Sequence, residues 1–396
     1  MKIHITEVNQ RISDIAKAYE IDEEIIRNIN EIDCGEPAVG EELLIIKPTR
    51  TYKLQCNDSI ERIAIRFGIQ KREIYLMNPH LIGREPKIGE KIILRTGDRT
   101  YGMMVANGYF HKGCTEDLMI RALPYLTYVT FASAVADKGG ITKTFDDKKL
   151  VKRVADEGKT PLIRIYDRCI DRYKEKDNYH SFAEELIKVA KEGGYKGIVL
   201  NTIPLSDSAE KFVSFLMVLR KLMIGCDLIL ITEINEKSPY DFSEYADGSL
   251  LYYPKFATNN APDFTEGERK VLSDFACNAE SAKTFVDIPA LARMNDSFIS
   301  INEALKTARK KGYTITKNKS TLLSHFNDRW QGDCRFLSLQ GLKDIFELIH
   351  EFDYMGVCFD IMRTPIAHYL MYNSLFKSSY SASVSSREEC SREVVE

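Results

Sequence analysis

The sequence predicts an α/β protein: a (β/α)8, TIM-like barrel with a small α+β insertion, preceded by two small α+β modules of the βααβ type. Three observations lead to this prediction. The first 96 residues contain one pattern twice. From residue 101 onwards, short apolar runs alternate with amphipathic helical patterns, as parallel strands with crossover helices require. Eight such runs over roughly 260 residues match the size of one eight-stranded barrel.

Composition and charge restrict the class of protein. The 396 residues are 44% hydrophobic and 29% charged, with a net charge of −3 at pH 7. These values are typical of a globular protein and give no electrostatic reason to expect a nucleic acid or an anionic membrane as partner. No apolar run is long enough to span a bilayer. The amino-terminal residues lack the apolar segment and cleavage site of a signal peptide, so we expect cytoplasmic synthesis, followed by retention there or deposition on another structure.

The nine cysteines and seven histidines are dispersed along the chain. The cysteines form no Cys-x-x-Cys pair, and neither residue type has the spacing of a metal site. We therefore expect no disulfide framework, no metal and no cofactor.

The repeat occupies residues 1–48 and 50–96. Residues 12–21 match residues 60–69 at an offset of 48, and residues 36–41 match residues 85–90 at an offset of 49. In the second copy, Asp58 and Glu61 have the spacing of a capping box at the start of a helix. Each copy is expected to fold as strand, helix, helix and strand.

This pattern resembles the LysM domain, twice in tandem. Members of that family bind N-acetylglucosamine-containing glycans in a groove between two loops. The resemblance places these loops at residues 56–59 and 78–82 and, in the first copy, at residues 8–11 and 30–34. The alternative is that the loops only cap helices and that the modules pack against protein. The ligand-binding residues that the resemblance implies are Asn57, Asp58, Ser59, Asn78, Pro79, His80, Leu81 and Ile82.

The barrel is expected over residues 97–377. A short joint at residues 95–100 should hold the modules close to the amino-terminal edge of the barrel. Residues 295–336, which include the only tryptophan, Trp330, are expected to form the insertion between the seventh and eighth strands. Residues 378–396 have the composition of a disordered tail. The predicted barrel strands are residues 101–109, 127–134, 161–167, 197–203, 227–234, 249–253, 284–288 and 356–361.

The fourth of these strands resembles that of glycoside hydrolase family 18, the chitinase and spore-lytic N-acetylglucosaminidase family. The family strand has the pattern Asp-x-x-Asp-x-Asp-x-Glu after a glycine and aromatic opening. This chain keeps the opening at residues 194–197 but none of the acids. The acidic positions hold Lys196, Val199, Asn201 and Ile203.

The missing acids bear directly on the chemistry. In the family, the Glu protonates the glycosidic oxygen, and the Asp two residues earlier orients the acetamido group of the substrate. Ile203 has no proton to give, and a positioned general acid usually contributes about 10²–10⁴ in rate. Asn201 can hydrogen-bond an acetamide but cannot stabilise the positive charge of an oxazolinium intermediate. The resemblance thus implies a pseudo-glycosidase with no catalytic residue at these positions.

Two further positions depart from the family pattern. Tyr252 and Tyr253 precede Pro254, which stands where the family has an Asp that helps to hold the acetamide. The resemblance implies that both tyrosines line the sugar site. Asp360 takes the place of the family's tryptophan floor.

Four acids lie at predicted strand ends, Asp167, Glu233, Asp287 and Asp360, and two of them keep a hydrolytic alternative open. Glu233 and Asp360 end the fifth and eighth strands, and paired carboxylates at a barrel mouth can perform acid–base chemistry. The competing interpretation is that they form ion pairs with Arg164, Arg168 or Arg363.

These features favour a peptidoglycan-binding or chitin-binding protein with a structural or recognition role at a spore or cell-wall surface. The combination resembles the spore cortex-lytic and spore-coat proteins of endospore-forming bacteria, which are deposited from the mother cell without a signal peptide. The resemblance implies N-acetylglucosamine-containing glycans as partners, and spore-coat proteins beside them. Two alternatives stay open: an active N-acetylglucosaminidase with a relocated acid, and a protein-assembly scaffold without glycan affinity.

Overall fold

The computed structural model describes residues 1–97, 101–167, 178–201, 209–235, 242, 244–252, 264–278, 280–295, 297–317, 323–328 and 332–378. Within these ranges the chain forms two small α+β modules, a closed barrel of eight parallel strands and an inserted antiparallel sheet, so the predicted fold class is confirmed. Some predicted features lie outside the described residues. They are Arg168, Ile203, Tyr253, Pro254, Trp330 and residues 379–396.

The two modules share one architecture, an antiparallel strand pair covered by two helices. Module 1 consists of β1 (Lys2–Ile5), α1 (Ile12–Tyr19), α2 (Glu23–Ile29) and β2 (Glu42–Ile45). Module 2 consists of β3 (Arg50–Lys53), α3 (Ile60–Phe67), α4 (Lys71–Met77) and β4 (Lys91–Arg95).

The start of α3 differs from the prediction in its capping residue. Ser59, not Asp58, is the N-cap, and its hydroxyl accepts a hydrogen bond from the backbone N–H of Arg62 at 3.2 Å. The carboxylate of Asp58 instead accepts from the Tyr52 hydroxyl at 2.7 Å and from the Gln55 N–H at 2.8 Å. The predicted capping box at Asp58 was wrong because that side chain holds the loop to β3, which leaves the next residue to cap the helix.

A buried asparagine ties the second helix of each module to its last strand. The Asn78 amide donates to the carbonyls of Ile74 at 2.8 Å and Ile93 at 2.7 Å, and its oxygen accepts from the Ile93 N–H at 2.8 Å. Asn30 makes the same three bonds in module 1. These bonds satisfy backbone groups that the helix end leaves open, and they fix where the following loop begins.

The barrel strands pair in parallel around a closed ring, and all eight predicted strands are present. The last strand, β18 (Gly356–Asp360), pairs with the first, β5 (Met103–Phe110), and β5 also pairs with β6 (Tyr128–Asp137), which closes the sheet into a ring. Two short strands, β7 (Gly140–Lys143) and β19 (Lys377–Ser378), extend it at β6 and β5. The ring consists of β5 (Met103–Phe110), β6 (Tyr128–Asp137), β8 (Thr160–Asp167), β9 (Gly197–Asn201), β10 (Ile229–Asn235), β11 (Gly248–Tyr252), β12 (Thr284–Asp287) and β18 (Gly356–Asp360).

Helices lie outside the ring and pack against it, as crossover connections require, and α12 (Ile366–Leu375) is buried on nearly all sides. On α7, for example, Phe182, Leu186 and Ala190 recur at helical spacing and are buried, and the helix ends at Gly194 in the left-handed conformation. The outer helices are α5 (Glu116–Ala122), α6 (Lys148–Asp156), α7 (Tyr179–Gly193), α8 (Ala209–Ile224), α9 (Phe264–Asn278), α11 (Leu339–Glu351) and α12 (Ile366–Leu375).

The insertion follows β12 and forms a five-stranded antiparallel sheet with one helix, α10 (Ile301–Lys311). The helix begins with a capping box, in which Ser300 and Glu303 bond each other's backbone N–H groups. We call this part the insertion subdomain. Its strands are β13 (Leu291–Met294), β14 (Ser297–Ser300), β15 (Thr316–Lys317), β16 (Leu323–Asp328) and β17 (Gly332–Leu337).

The modules contact opposite ends of the barrel. In module 2, the carbonyl of Leu76 accepts a hydrogen bond at 2.8 Å from the hydroxyl of Tyr125, which precedes β6. In module 1, the carboxylate of Glu31 accepts at 2.9 Å from the N–H of Ile366, which follows β18. The predicted position at the amino-terminal edge therefore holds for module 2 only. Module 1 departs from it because it packs on the insertion subdomain, which rises from the carboxyl ends of the strands.

No helix among the described residues combines the length and the apolar composition needed to cross a membrane.

Replacing Gly356 by alanine is predicted to destabilise the barrel by at least about 2 kcal/mol, because a side chain cannot fit where β18 meets β5. A Cβ atom at this position would lie 2.0 Å from the backbone oxygen of Val105. Urea unfolding measures the effect. Gly225→Ala is the control, since its nearest contact would be 3.6 Å away, and equal stability of the two variants would contradict this account of strand packing.

Candidate functional site

Polar side chains line the barrel interior at the carboxyl ends of its strands. Below them lies an apolar layer, and on five strands the residue two positions beyond a layer residue is polar or charged. Because side chains alternate along a strand, these residues face the same interior. The pairs are Leu162 and Arg164, Val199 and Asn201, Ile231 and Glu233, Phe285 and Asp287, and Cys358 and Asp360.

The carboxylate of Glu233 is the centre of this mouth. It accepts hydrogen bonds from the Tyr109 hydroxyl at 2.5 Å and from the Arg164 guanidinium at 2.5 and 2.7 Å. The amide of Asn201 also donates to it. Glu233 is 5% exposed, so its charge is withdrawn from water and balanced by Arg164 in a two-pronged ion pair.

The hydrogen bonds to Glu233 keep Arg164 charged and Tyr109 protonated. Burial opposes the charge of Arg164, but the carboxylate of Glu233 raises the pKa of the guanidinium above its ordinary value. Burial and the same carboxylate raise the pKa of Tyr109 well above its ordinary value, so the phenol keeps its proton and donates. The guanidinium also lies over the Tyr109 ring, 5.4 Å from its centre.

Asn201 presents a buried acceptor at the mouth. Its amide nitrogen must face Glu233, because turning its oxygen toward a carboxylate would place two acceptors together. The amide oxygen is buried and has no hydrogen-bond partner among the described residues.

A second cluster of titratable side chains lies at the mouth, at the carboxyl ends of β12 and β18. Asp360 accepts a hydrogen bond from Arg363 at 2.6 Å, and the His111 ring nitrogen lies 3.6 Å from the same carboxylate. Burial, with help from Asp360 and Glu233, raises the pKa of Asp287 to about 8. Burial lowers the pKa of His111 although Asp360 opposes this. At neutral pH Asp287 thus carries a proton and His111 does not.

The structure brings together only some of the barrel residues singled out from the sequence. Asn201 and Glu233 are in contact, and both acids form ion pairs of the kind that the competing interpretation described, Glu233 with Arg164 and Asp360 with Arg363. The backbone of Tyr252 ends β11. Sequence reasoning placed Asp287 at a strand end but did not assign it as a proton-carrying acid, and it missed Tyr109 as a donor to Glu233. Their position two residues beyond an inward-facing residue was the signal available.

The first predicted loop of module 2 is exposed, and hydrogen bonds to the rest of the module fix its backbone. Asn57 is exposed and adopts the left-handed conformation, with φ of 66°. Arg62 donates to the carbonyl of Asn57 at 2.8 Å. Asp58 and Ser59 bind the chain internally, as described above, so of the three predicted side chains only that of Asn57 extends freely into solvent.

The second predicted loop is largely buried. Asn78, Pro79 and Leu81 are buried, whereas His80 and Ile82 are partly exposed. Burial lowers the pKa of His80 to about 4, against the opposing effect of Glu90, which leaves the ring neutral at pH 7. The buried residues support the loop, and a ligand would meet its backbone and the side chains of His80 and Ile82.

Comparison with known proteins identifies the modules and the barrel fold. The LysM domain model matches residues 11–45 and 52–95. A comparison with curated protein sequences gives no match. Among solved structures, the spore cortex-lytic enzyme SleL of Bacillus megaterium QM B1551 superposes with a TM-score of 0.76 at 17% identity, covering 96% of this chain and 99% of that one.

Two further structures are similar. SleL of Bacillus cereus gives a TM-score of 0.75 at 14% identity, covering 96% of this chain and all (100%) of that one. A chitinase from Chromobacterium violaceum ATCC 12472 gives 0.58 at 14% identity, covering 69% and 99%. The two modules thus match the LysM domain, and the barrel has the fold of these enzymes.

Replacing Arg164 by methionine is predicted to destabilise the protein by about 3–5 kcal/mol, because it leaves the buried carboxylate of Glu233 without its counter-charge. The double variant R164M/E233Q should recover most of this loss. Urea unfolding measures both. Arg153→Met, which removes an exposed pair with Glu157, is the control and should change stability by less than about 0.5 kcal/mol. A double variant no more stable than R164M would contradict the account.

The contribution of Asp287 to stability is predicted to fall as pH rises from about 4 to 8. Because the folded state keeps a proton that the unfolded carboxyl loses near its ordinary pKa of 3.8, folding is favoured below that value, and the advantage is lost as pH approaches 8. The slope is at most about 1.4 kcal/mol per pH unit. Urea unfolding at several pH values measures it against Asp287→Asn, which lacks the titration. Parallel pH profiles would contradict the assignment.

Proposed function

We propose that this protein binds N-acetylglucosamine-containing glycans, either peptidoglycan or chitin oligomers, and that its barrel does not hydrolyse them. The observation that carries this proposal is the set of four hydrogen bonds that Glu233 accepts at the barrel mouth. The LysM identity of the two modules supports the glycan as ligand, and the glycosidase fold supports the barrel mouth as a second contact site.

A hydrolytic barrel requires an acid that can give a proton to the glycosidic oxygen. Glu233 acts only as an acceptor, and its charge is balanced by Arg164. Asp360 accepts from Arg363 and from the N–H of Met362. The two acids that sequence reasoning offered as relocated catalysts are therefore engaged in holding the mouth together.

The mouth nevertheless retains a group suited to an acetamide. The amide oxygen of Asn201 is an unpartnered acceptor, and the acetamido N–H of an N-acetylated sugar is a matching donor. Tyr252 and Tyr253 are proposed to line the same sugar. Asn201 is thus assigned to recognition, with its orientation set by Glu233.

We place this activity at a bacterial spore or cell-wall surface, in a structural or recognition role. Two of the similar structures are spore cortex-lytic enzymes, and they match nearly the whole chain. Spore-coat proteins would then be neighbours of the protein in that location.

A second candidate function is an active N-acetylglucosaminidase, and Asp287 is the observation in its favour. Its pKa of about 8 keeps a proton on the carboxyl at neutral pH, which is the state that a general acid needs. A third candidate is a protein-assembly scaffold, which would bind other proteins and no glycan.

The full chain is predicted to bind N-acetylglucosamine hexamer without shortening it, and Asn201→Ala should weaken this binding about 5-fold, the worth of one hydrogen bond. Titration calorimetry measures the affinity and mass spectrometry the products. Asn327→Ala, an exposed position on the insertion subdomain, is the matched control and should bind as the wild type does.

The possible outcomes separate the three candidates. Shortened oligomers that disappear in Asp287→Asn would establish the hydrolase and overturn the proposal. A chain that binds neither the hexamer nor insoluble peptidoglycan would support the scaffold.

A further inference from the structure

Each module contains a buried carboxylate at the same position of the repeat, and the two carboxylates are paired with cations from different parts of the chain. Glu41 in module 1 and Glu90 in module 2 occupy the same place in the repeat, and both are buried. Each accepts a hydrogen bond from a backbone N–H three residues before it, that of Ala38 at 2.9 Å and that of Lys87 at 3.0 Å. A buried carboxylate also needs a cation, and the two modules obtain theirs from different parts of the chain.

Module 2 supplies its own cation. Arg84 is bound to Glu90, and it also donates to the carbonyl of His80 at 2.7 Å. This arginine follows Gly83 and is the extra residue that changes the repeat offset from 48 to 49. Module 2 therefore contains every group that its second loop and its buried carboxylate require.

Module 1 lacks that residue, and the insertion subdomain provides the arginine instead. Arg309 on α10 pairs with Glu41 at 2.6 Å, and the two side chains are only 9% and 1% exposed. Arg309 also donates to the carbonyls of Asn30 at 3.2 Å and Glu31 at 3.1 Å. It thus binds the second loop of module 1 as Arg84 binds that of module 2.

Further contacts hold the same loop and the turn before β2. The Glu31 carboxylate accepts from Asn302 at 2.7 Å, and Lys306 lies 3.3 Å from the Asp33 carboxylate. The turn approaches the insertion subdomain so closely that a Cβ at Gly40 would lie 1.9 Å from the backbone oxygen of Ile315. In module 2, the equivalent Gly89 would meet only a lysine side chain at 3.8 Å.

We infer that module 1 is an internal docking module whose partner is the insertion subdomain of the same chain, and that glycan binding by the repeat belongs to module 2. The docking part rests on the contacts above. The assignment of the glycan to module 2 rests, in addition, on the proposed function. In this arrangement, module 1 fixes the insertion subdomain beside the barrel mouth, whereas in module 2 the side chains of Asn57, His80 and Ile82 remain accessible to solvent.

The docking is tested by a matched glycine pair in the full chain, Gly40→Ala and Gly89→Ala. Both glycines have left-handed backbone, with φ of 78° and 86°, so the local strain of the added Cβ is comparable. Hydrogen–deuterium exchange is followed in α10 and in residues 30–34. We expect at least 10-fold faster exchange there in Gly40→Ala and wild-type exchange in Gly89→Ala. Equal exchange of both regions in the two variants would overturn the docking.

A second pair keeps the test decisive if Gly40→Ala does not fold. Arg309→Lys retains the charge but loses the forked contact with the loop, and Arg84→Lys is its counterpart in module 2. Faster exchange of α10 in Arg309→Lys alone supports the inference. Unchanged exchange of α10 in Arg309→Lys overturns it.

The division of glycan binding is tested by retention of the full chain on insoluble purified peptidoglycan. The double variant N57G/I82A alters the loops of module 2, and N9G/C34A alters the equivalent positions of module 1. Glycine preserves the left-handed backbone of Asn9 and Asn57, which have φ of 61° and 66°. We expect at least a 10-fold loss of retention in N57G/I82A and wild-type retention in N9G/C34A.

The outcomes distinguish this inference from the proposed function. Comparable losses in both double variants would overturn the division of roles. No retention of the wild-type chain would overturn glycan binding by the repeat, while the exchange experiments would still decide whether module 1 docks on the insertion subdomain.

Discussion

A carboxylate inside a closed barrel is costly unless donors surround it, and the barrel mouth is arranged to meet this condition for Glu233. Its donors come from three other strands: Tyr109 from β5, Arg164 from β8 and Asn201 from β9. Each bond also fixes the state of the donor. Tyr109 remains a phenol, Arg164 is drawn inward from solvent, and Asn201 turns its oxygen away from the carboxylate. Among the described residues, the buried amide oxygen of Asn201 is left without a partner as a consequence of how this charge is satisfied.

The same condition explains why two copies of one repeat differ in their surroundings. The buried acids Glu41 and Glu90 both need a cation, and module 2 has Arg84 beside its own acid whereas module 1 takes Arg309 from α10. A module that depends on another part of the chain for a buried counter-charge is held in place by the cost of leaving that charge alone. A module that satisfies its own acid is under no such constraint. One inserted residue thus decides which copy depends on the insertion subdomain for its buried counter-charge.

Sequence reasoning found the elements that depend on local pattern, and it missed the contacts that form only when the barrel closes and the domains pack together. The repeat, the eight barrel strands and the inward face of Asn201 follow from apolar periodicity and spacing. The capping residue of α3 was wrong by one position, since the partner that attracts Asp58 is a tyrosine on another strand. The bond between Tyr109 and Glu233 spans 124 residues, and that between Arg309 and Glu41 spans 268. No local pattern contains such pairs, because they form only when the sheet closes and the insertion subdomain folds back on module 1.

The charges at the mouth bear on what the barrel can hold. Arg164 balances Glu233, Arg363 balances Asp360, and Asp287 is protonated at neutral pH. Substrate-assisted hydrolysis develops positive charge on the sugar and its acetamido group, so a hydrolytic site needs a carboxylate that is free to face that charge. Here, the ionised carboxylates among the described mouth residues already face guanidinium groups. Among the described residues, the mouth thus combines balanced charges with the unpartnered amide oxygen of Asn201, which agrees with the proposed role in recognition.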